Sequence, residues 1–480
     1  MFYNKIVPDM SALFHPDTLF SPEGIQAGLE RELYASICSL PLVCPHGHTD
    51  PAWFANNQPF EDPASLLVMP DHYLLRMFTS QGLKLEDFGI PTRDGAAVET
   101  DRRVIWKLFA RNYHLFRCTP SRLWLDYTFS NLFNLDKPLC EATADFYYDQ
   151  ISEYLARPEF RPRALYDSFN IEVIATTESA LDELHHHRTI QDSDWKGRVV
   201  TTYRPDQITD PENPDFTEGL VQFSSLTGQD TSSWQGYLEA HRIRRAYFRE
   251  FGATATDHGV PTPLTANLSL REAESLYDRV RSASISTQDA ALFRAQMLTE
   301  MAKMSVEDGM IMQIHPGSYR NHSSAIFERF GRDMGFDIPK RVDFVNDLRP
   351  LLECVGHSEG LSIILFTLDE STYARELAPL AGAYPCLKLG PAWWFNDSPE
   401  GMMRMRDMCT ETSGLYNTVG FNDDTRAFPS IPARHDIARR VDCSWLARQV
   451  VEHRLREDEA FELIVEFSGN LARRAYKFAE

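Results

Sequence analysis

Two histidines separated by one residue, His46-Gly47-His48, close a short apolar run, LVCPHGH (residues 42–48). On an extended segment, residues two apart point to the same face, so both imidazoles can share one cation. H-x-H alone is a weak signal, because a satisfied buried histidine is the ordinary alternative. It gains meaning beside an acid at the end of another run. NTVGFNDD (417–424) leads into Asp423-Asp424-Thr425-Arg426. Two imidazoles and a carboxylate make a mixed site with open positions that suits Zn²⁺, Mn²⁺ or Fe²⁺, and geometry alone does not choose among them.

Other apolar runs also end in groups that could do chemistry. They are Arg204-Pro205-Asp206, Asp257-His258-Gly259, His315 and Trp393-Trp394-Phe395-Asn396. Arginine matches a carboxylate with two parallel hydrogen bonds, which makes Arg204 and Arg426 candidates for an acidic ligand. Arg320 could do the same or hold a loop by an ion pair. Trp393 and Trp394 offer apolar faces and ring N–H groups, with rim packing as the alternative for one of them. His315 stands at the end of its run, and Asp257 and His258 could orient a ligand from behind. The triplet His185–His187 reads as a solvated helix face.

The elements that must position these groups can be read from the same runs. Besides LVCPHGH and NTVGFNDD they are IEVIATTE (171–178), RVVTTYRP (198–205), GATATDHG (252–259), MIMQIHPG (310–317), LSIILFTL (361–368) and CLKLGPAWW (386–394). Most are continuous rather than alternating, as in parallel strands covered on both faces; GATATDHG has little bulk. Eight such runs separated by helix-length segments predict a (β/α)₈ barrel, whose strand ends would gather these polar groups at one mouth. The prediction is one domain over residues 1–480, with a helical insertion from about 55 to 165. In that insertion Asp62-Pro63 opens one helix and Asp71 caps another, so that His72 and Tyr73 lie in its first turn. Ser21 and Pro22 are read as the start of an earlier helix, with Glu23 adding a negative charge in its first turn. Two amphipathic helices from Arg434 onward are expected to close the barrel and pack on its outside.

Bulk properties narrow the function. With 480 residues, 43% hydrophobic and 24% charged, the chain reads as an ordinary globular protein. The net charge of −21 argues against nucleic acid or an anionic membrane as partner. An acidic chain that binds an acid needs a local cationic site. No run of about 18 apolar residues suggests a membrane span. Eight scattered cysteines without a C-x-x-C pair fit a reducing cytoplasm.

Taken in order, the motifs make the chain resemble the uronate (glucuronate) isomerases of the amidohydrolase superfamily. The matching blocks are His46-Gly47-His48, Asp71-His72-Tyr73, Thr176-Thr177 with Leu181-Asp182, Arg204-Pro205-Asp206 and Asp257-His258-Gly259. They continue with Met312-Gln313-Ile314-His315, Arg320-Asn321, Gly335-Phe336-Asp337, Trp393-Trp394-Phe395-Asn396-Asp397 and Asp424-Thr425-Arg426. Two departures are Cys44-Pro45, where the family often has an acid and an aromatic residue, and Asp423-Asp424-Thr425-Arg426 in place of Thr-Asp-Ser-Arg. Asp424 keeps the Asp-x-Arg spacing and is taken as the ligand.

The resemblance implies an aldose–ketose isomerase that interconverts D-glucuronate with D-fructuronate and D-galacturonate with D-tagaturonate. It implies a single metal held by His46, His48 and Asp424. His72, Tyr73 and Asp424 would carry proton transfer through an enediol; Arg204, Arg426, Trp393, Trp394, His315 and Arg320 would contact substrate. The expected partner is a small hexuronate, with a homo-oligomer left open. A metal-dependent hydrolase, such as a lactonase or deaminase, is the alternative on the same barrel.

Overall fold

The aliphatic runs become short parallel strands. The structure, a computed structural model, describes residues 12–22, 24–282 and 285–478. In chain order the strands are β1 (Leu42–Cys44), β2 (Ile171–Ala175), β3 (Glu178–Ser179), β4 (Val199–Val200) and β5 (Tyr203–Arg204). There follow β6 (Ala255–Val260), β7 (Ile311–Pro316), β8 (Ser318–Tyr319), β9 (Ile338–Pro339), β10 (Ile363–Leu365) and β11 (Leu387–Leu389). The fold is α/β. One parallel sheet runs β1-β2-β4 and another β3-β5-β6-β7-β10-β11, while β8 and β9 pair antiparallel beside them. The second and third runs are each broken into two strands, yet their ladder continues: Thr176 N donates to Val200 O (2.9 Å) and Glu178 N to Thr202 O (3.2 Å). Spatial order therefore follows chain order.

Two of these runs behave differently from their composition. GATATDHG, the least bulky, supplies β6, which pairs with β7 over six positions. Its Ala255 faces a crowded interior where a small side chain suffices. Residues 417–424 form no strand. Their contact with β11 is one parallel bridge, Leu389 to Thr418, flanked by Val419 N donating to Leu389 O (3.1 Å). Beyond it Gly420 (φ 78°) and Asp424 (φ 42°) adopt left-handed backbone, which ends an extended ladder.

Strand faces alternate as the two-residue period requires. One face of all eight runs meets in a single cluster: Val43, Val173, Val200, Ala255, Ile311, Ile364, Trp393 and Val419 are among its members. The opposite faces, such as Tyr203, Met312, Ile363 and Leu387, pack on the surrounding helices. Elements between Pro51 and Ser168 are all helical. Asp62 caps the Pro63–Leu67 helix by accepting from Ala64 N and Ser65 N, and Asp71 caps the His72–Ser80 helix through Tyr73 N and Leu74 N.

Three expectations are corrected. The first helix spans Ile25–Ile37, with Gly24 rather than Ser21 at its cap. Ser21 instead gives its N–H (2.6 Å) and hydroxyl (3.0 Å) to the fully buried Glu30, a carboxylate that must collect donors. The acid at Glu23 lies outside the described residues. The first of the helices expected from Arg434 onward, Ile431–Val451, is not amphipathic but buried around most of its circumference. Its charges looked solvated in sequence because their partners are distant or backbone: Arg406 pairs with Asp442 (2.8 Å) and Arg439 reaches Leu40 O (2.9 Å). Nor does the chain end stay outside. Tyr476 and Phe478 join the inner cluster, and Tyr476 Oη donates to Gln313 Oε1 at 2.8 Å.

Candidate active site

Above the inner cluster, the same strand faces turn polar. Two residues beyond Ala255 on β6 stands Asp257, and beyond Ile311 and Gln313 on β7 stands His315. His315 Nδ1 bonds Asp257 Oδ1 at 2.7 Å, and its ring stacks on His46 (centroids 4.8 Å) and Phe366 (3.9 Å). His46 and His48 follow β1, and each Nε2 lies 3.4 Å from Asp424 Oδ1. The other oxygen, Asp424 Oδ2, accepts the indole N–H of Trp393. His48 N donates to Thr425 O (3.0 Å), tying the first run to the end of the last.

Whether this cluster fits a cation can be judged from its own atoms. Asp424 Oδ1 is buried without a hydrogen-bond donor, and His315 Nε2 is buried without a partner. Ligand atoms of His46, His48 and Asp424 lie within 4.8 Å of one another, as do those of His46, Asp257 and His315. Burial pushes His48 down to about 3, against the attraction of Asp424. Burial opposes charge on Asp424 too, but His46 and His48 hold it at about 2. A neutral imidazole and an ionised carboxylate are the forms a metal requires. The residues fit a metal.

The cluster opens into a cleft of about 840 Å³ that also exposes His72, Tyr73, Arg204, Arg320, Trp393, Trp394 and Arg426. The cap at Asp71 fixes the first turn, which carries His72 and Tyr73 with their rings 4.7 Å apart. Gly335 (φ 81°) presses against this turn: a Cβ there would meet His72 O at 2.6 Å. Burial, then Arg426, pushes His72 down to about 3; burial, then Asp397, drives Tyr73 well above the usual phenol range. Both side chains are therefore uncharged at neutral pH.

The arginines arrive already paired. Arg204 meets Asp206 (2.7 Å) and Asp257 (3.1 Å), in space that a Cβ at Gly259 would fill. Arg426 meets Asp333 at 3.2 Å and keeps 41% of its side chain exposed. Arg320 serves a loop, donating to Asp337 (2.8 Å), and its guanidinium also lies over Trp394 (4.9 Å). Asp257 stands behind both His315 and Arg204, whereas His258 points to the other face and bonds Thr256 Oγ1 (2.9 Å). His187 is not on a solvated face: it is buried, with Nε2 2.9 Å from Thr176 Oγ1.

Sequence reading passed over three groups at this site. Asp333 and Arg434 line the cleft. Asp397, behind Tyr73, takes the phenol O–H at 2.8 Å. Asp397 had a signal, since it closes the Trp-Trp-Phe-Asn-Asp block; Asp333 and Arg434 carried none.

The family profile described as glucuronate isomerase matches residues 24–474. A uronate isomerase from Mesorhizobium japonicum is 62% identical over 98% of this chain and 100% of its own length. The chain belongs to the glucuronate isomerase family. Structures of the family superpose along its length. The crystal structure of glucuronate isomerase from Caulobacter crescentus gives a TM-score of 0.96 at 54% identity, covering 98% of both chains. A uronate isomerase from Thermotoga maritima gives 0.89 at 25% identity, covering 96% of this chain and 98% of its own. Family membership favours isomerase over hydrolase chemistry for the cluster. No helix among the described residues is long and apolar enough to cross a membrane.

Proposed function

We infer that the chain interconverts the aldose and ketose forms of hexuronates, D-glucuronate with D-fructuronate and D-galacturonate with D-tagaturonate. The observation that carries this reading is one cleft lined by His48 and Asp424, with His46 buried beside them, together with the His72–Tyr73 pair and the arginines Arg204 and Arg426. A 1,2-shift needs a proton to leave C2 and arrive at C1, a second proton to pass between O2 and O1, and a stabiliser for the enediol.

His46, His48 and Asp424 would hold one divalent ion, Zn²⁺ being the expected one. When bound, it supplies Lewis acidity toward substrate oxygens. Arg426, half-exposed, takes the substrate carboxylate with its two-pronged guanidinium, and Arg204 binds substrate oxygens near Asp257. Asp424, ionised, carries the proton between C2 and C1. Tyr73 keeps its phenolic proton and serves the oxygen end, with neutral His72 as hydrogen-bond partner. Trp393 and Trp394 wall the sugar, while His315, held by Asp257, reaches a hydroxyl with Nε2. Arg320 contacts substrate only in addition to its loop bond.

We read the two parallel sheets as one (β/α)₈ barrel in a single domain over 1–480, with residues 55–165 inserted after the first strand. The sequential strand order, the shared inner cluster and the His48–Thr425 bond support closure. The test of function is incubation of the purified chain with each uronate in D₂O, read by NMR. Ketose bearing solvent deuterium at C1 is expected. No ketose overturns the activity; ketose with complete retention of the substrate hydrogen, at undiminished rates in His72→Asn and Tyr73→Phe, overturns the enediol route.

A further inference from the structure

Tyr73 faces the cleft with a group that cannot by itself take or give a proton near neutral pH. Its phenol is half-buried, and desolvation, then Asp397, holds it well above the usual range. What stands behind it decides what it can do. Asp397, 7% exposed, accepts from Tyr73 Oη at 2.8 Å through Oδ2. The same oxygen accepts from Arg434 Nη1 at 3.2 Å. Tyr73 lines the cleft, and Asp397 lies behind its phenol, in hydrogen-bond contact with it.

We propose that Asp397 is a positioning residue that acts through Tyr73, taking up and returning the proton that Tyr73 exchanges with a substrate oxygen. This rests on the role given to Tyr73 above. In one direction a substrate hydroxyl proton passes to Tyr73 Oη as the phenolic proton passes to Asp397 Oδ2. In the other, Asp397 returns its proton to Tyr73 and Tyr73 delivers one to the neighbouring substrate oxygen. The enzyme ends unchanged, and the proton has moved between O2 and O1, as an aldose–ketose exchange requires.

The surroundings are those of a proton store rather than of a plain ion pair. Burial lifts Asp397 to about 6, against Arg434 and Tyr73, which both favour the charged form. Arg434 does not depend on Asp397 alone: it also donates to Asp423 O (3.1 Å) and lies over the Trp124 ring (3.7 Å). The charged and titratable groups that act most strongly on Asp397 are Tyr73 and Arg434 in contact and Asp424 at longer range. Arg434 thus joins the carboxyl behind Tyr73 to the chain segment that presents Asp424.

A double-mutant cycle on the metal-loaded enzyme tests this with D-glucuronate: wild type, Tyr73→Phe, Asp397→Asn and the double variant. Asp397→Asn is expected to lower kcat by roughly 10- to 100-fold, with KM within about two-fold and metal content unchanged. The double variant should be no slower than the slower single, because both changes break one relay. The acid limb of kcat near pH 6 in the wild type should vanish in Asp397→Asn, which cannot titrate. Wild-type kcat in Asp397→Asn, or losses that multiply in the double variant, would overturn the proposal. Undiminished turnover in Tyr73→Phe would instead remove the role of Tyr73, and Asp397 with it. If Asp397→Asn does not fold, Asp397→Ser completes the same cycle with the same expectations.

Discussion

Asp424 serves three neighbours with one carboxylate: Oδ2 takes the Trp393 indole, and Oδ1 faces two imidazoles with no donor of its own. A buried oxygen left this way is costly unless a cation sits against it. The first prediction follows. Purified wild type should carry about one divalent ion per chain, and the double variant His46→Ala/His48→Ala close to none, read by elemental analysis; wild-type metal content in that variant would remove the assignment. Arg426 gives a second. Arg426→Lys keeps the charge but loses the fork, so kcat/KM for glucuronate should fall by about 1.5–3 kcal/mol equivalent, a typical value for a charged hydrogen bond. Because Arg426 is half-exposed and bonded to one exposed acid, the melting temperature should barely move. Unaltered kinetics would take Arg426 out of the site.

At the scale of elements, the cap at Asp71 connects stability to chemistry. Asp71→Ala should cost about 1 kcal/mol in urea unfolding, the usual worth of a cap, and should lower kcat by more than that loss explains, since His72 and Tyr73 begin the capped turn. Asp71→Asn, which can still cap, should retain most of both. Glu178 on β3 offers a pH test. Burial raises its carboxyl to about 8, against about 4.3 in the unfolded chain. Between those values the folded state holds the extra proton, so stability falls as pH rises through the window. Glu178→Gln should flatten that slope; an unchanged profile would mean that Glu178 is ionised in the folded protein. These elements also mark what the sequence could disclose. The aspartate caps and the apolar runs were legible because they depend on neighbours in the chain. So was the juxtaposition of His46, His48 and Asp424, because motifs at run ends need only parallel strands to meet. Ser21, His187 and the Ile431–Val451 helix were misread because their partners, Glu30, Thr176 and the acids and carbonyls around the helix, are tertiary. The failure of residues 417–424 to form a strand lies in left-handed backbone at Gly420 and Asp424, and Asp424 is not a residue type that announces it.

At the scale of the molecule, the inner cluster draws on residues as far along the sequence as Phe478. Phe478 is 4% exposed there, beside Tyr476. Phe478→Ala should destabilise by about 3–5 kcal/mol, the range for emptying a buried aromatic position, visible as a large drop in melting temperature. A shift of less than a degree would mean that the terminal aromatics are not part of the core. The placement of Tyr476 also bears on how the protein is made. Asp424 and Tyr476 leave the ribosome some 380 and 430 residues after His46. At about 5–20 residues per second the first strand waits roughly 20–90 s for the residues that complete its surroundings. For that interval β1 and its two histidines have neither Asp424 nor the terminal plug. A nascent chain stalled before residue 424 should therefore lack the assembled metal cluster.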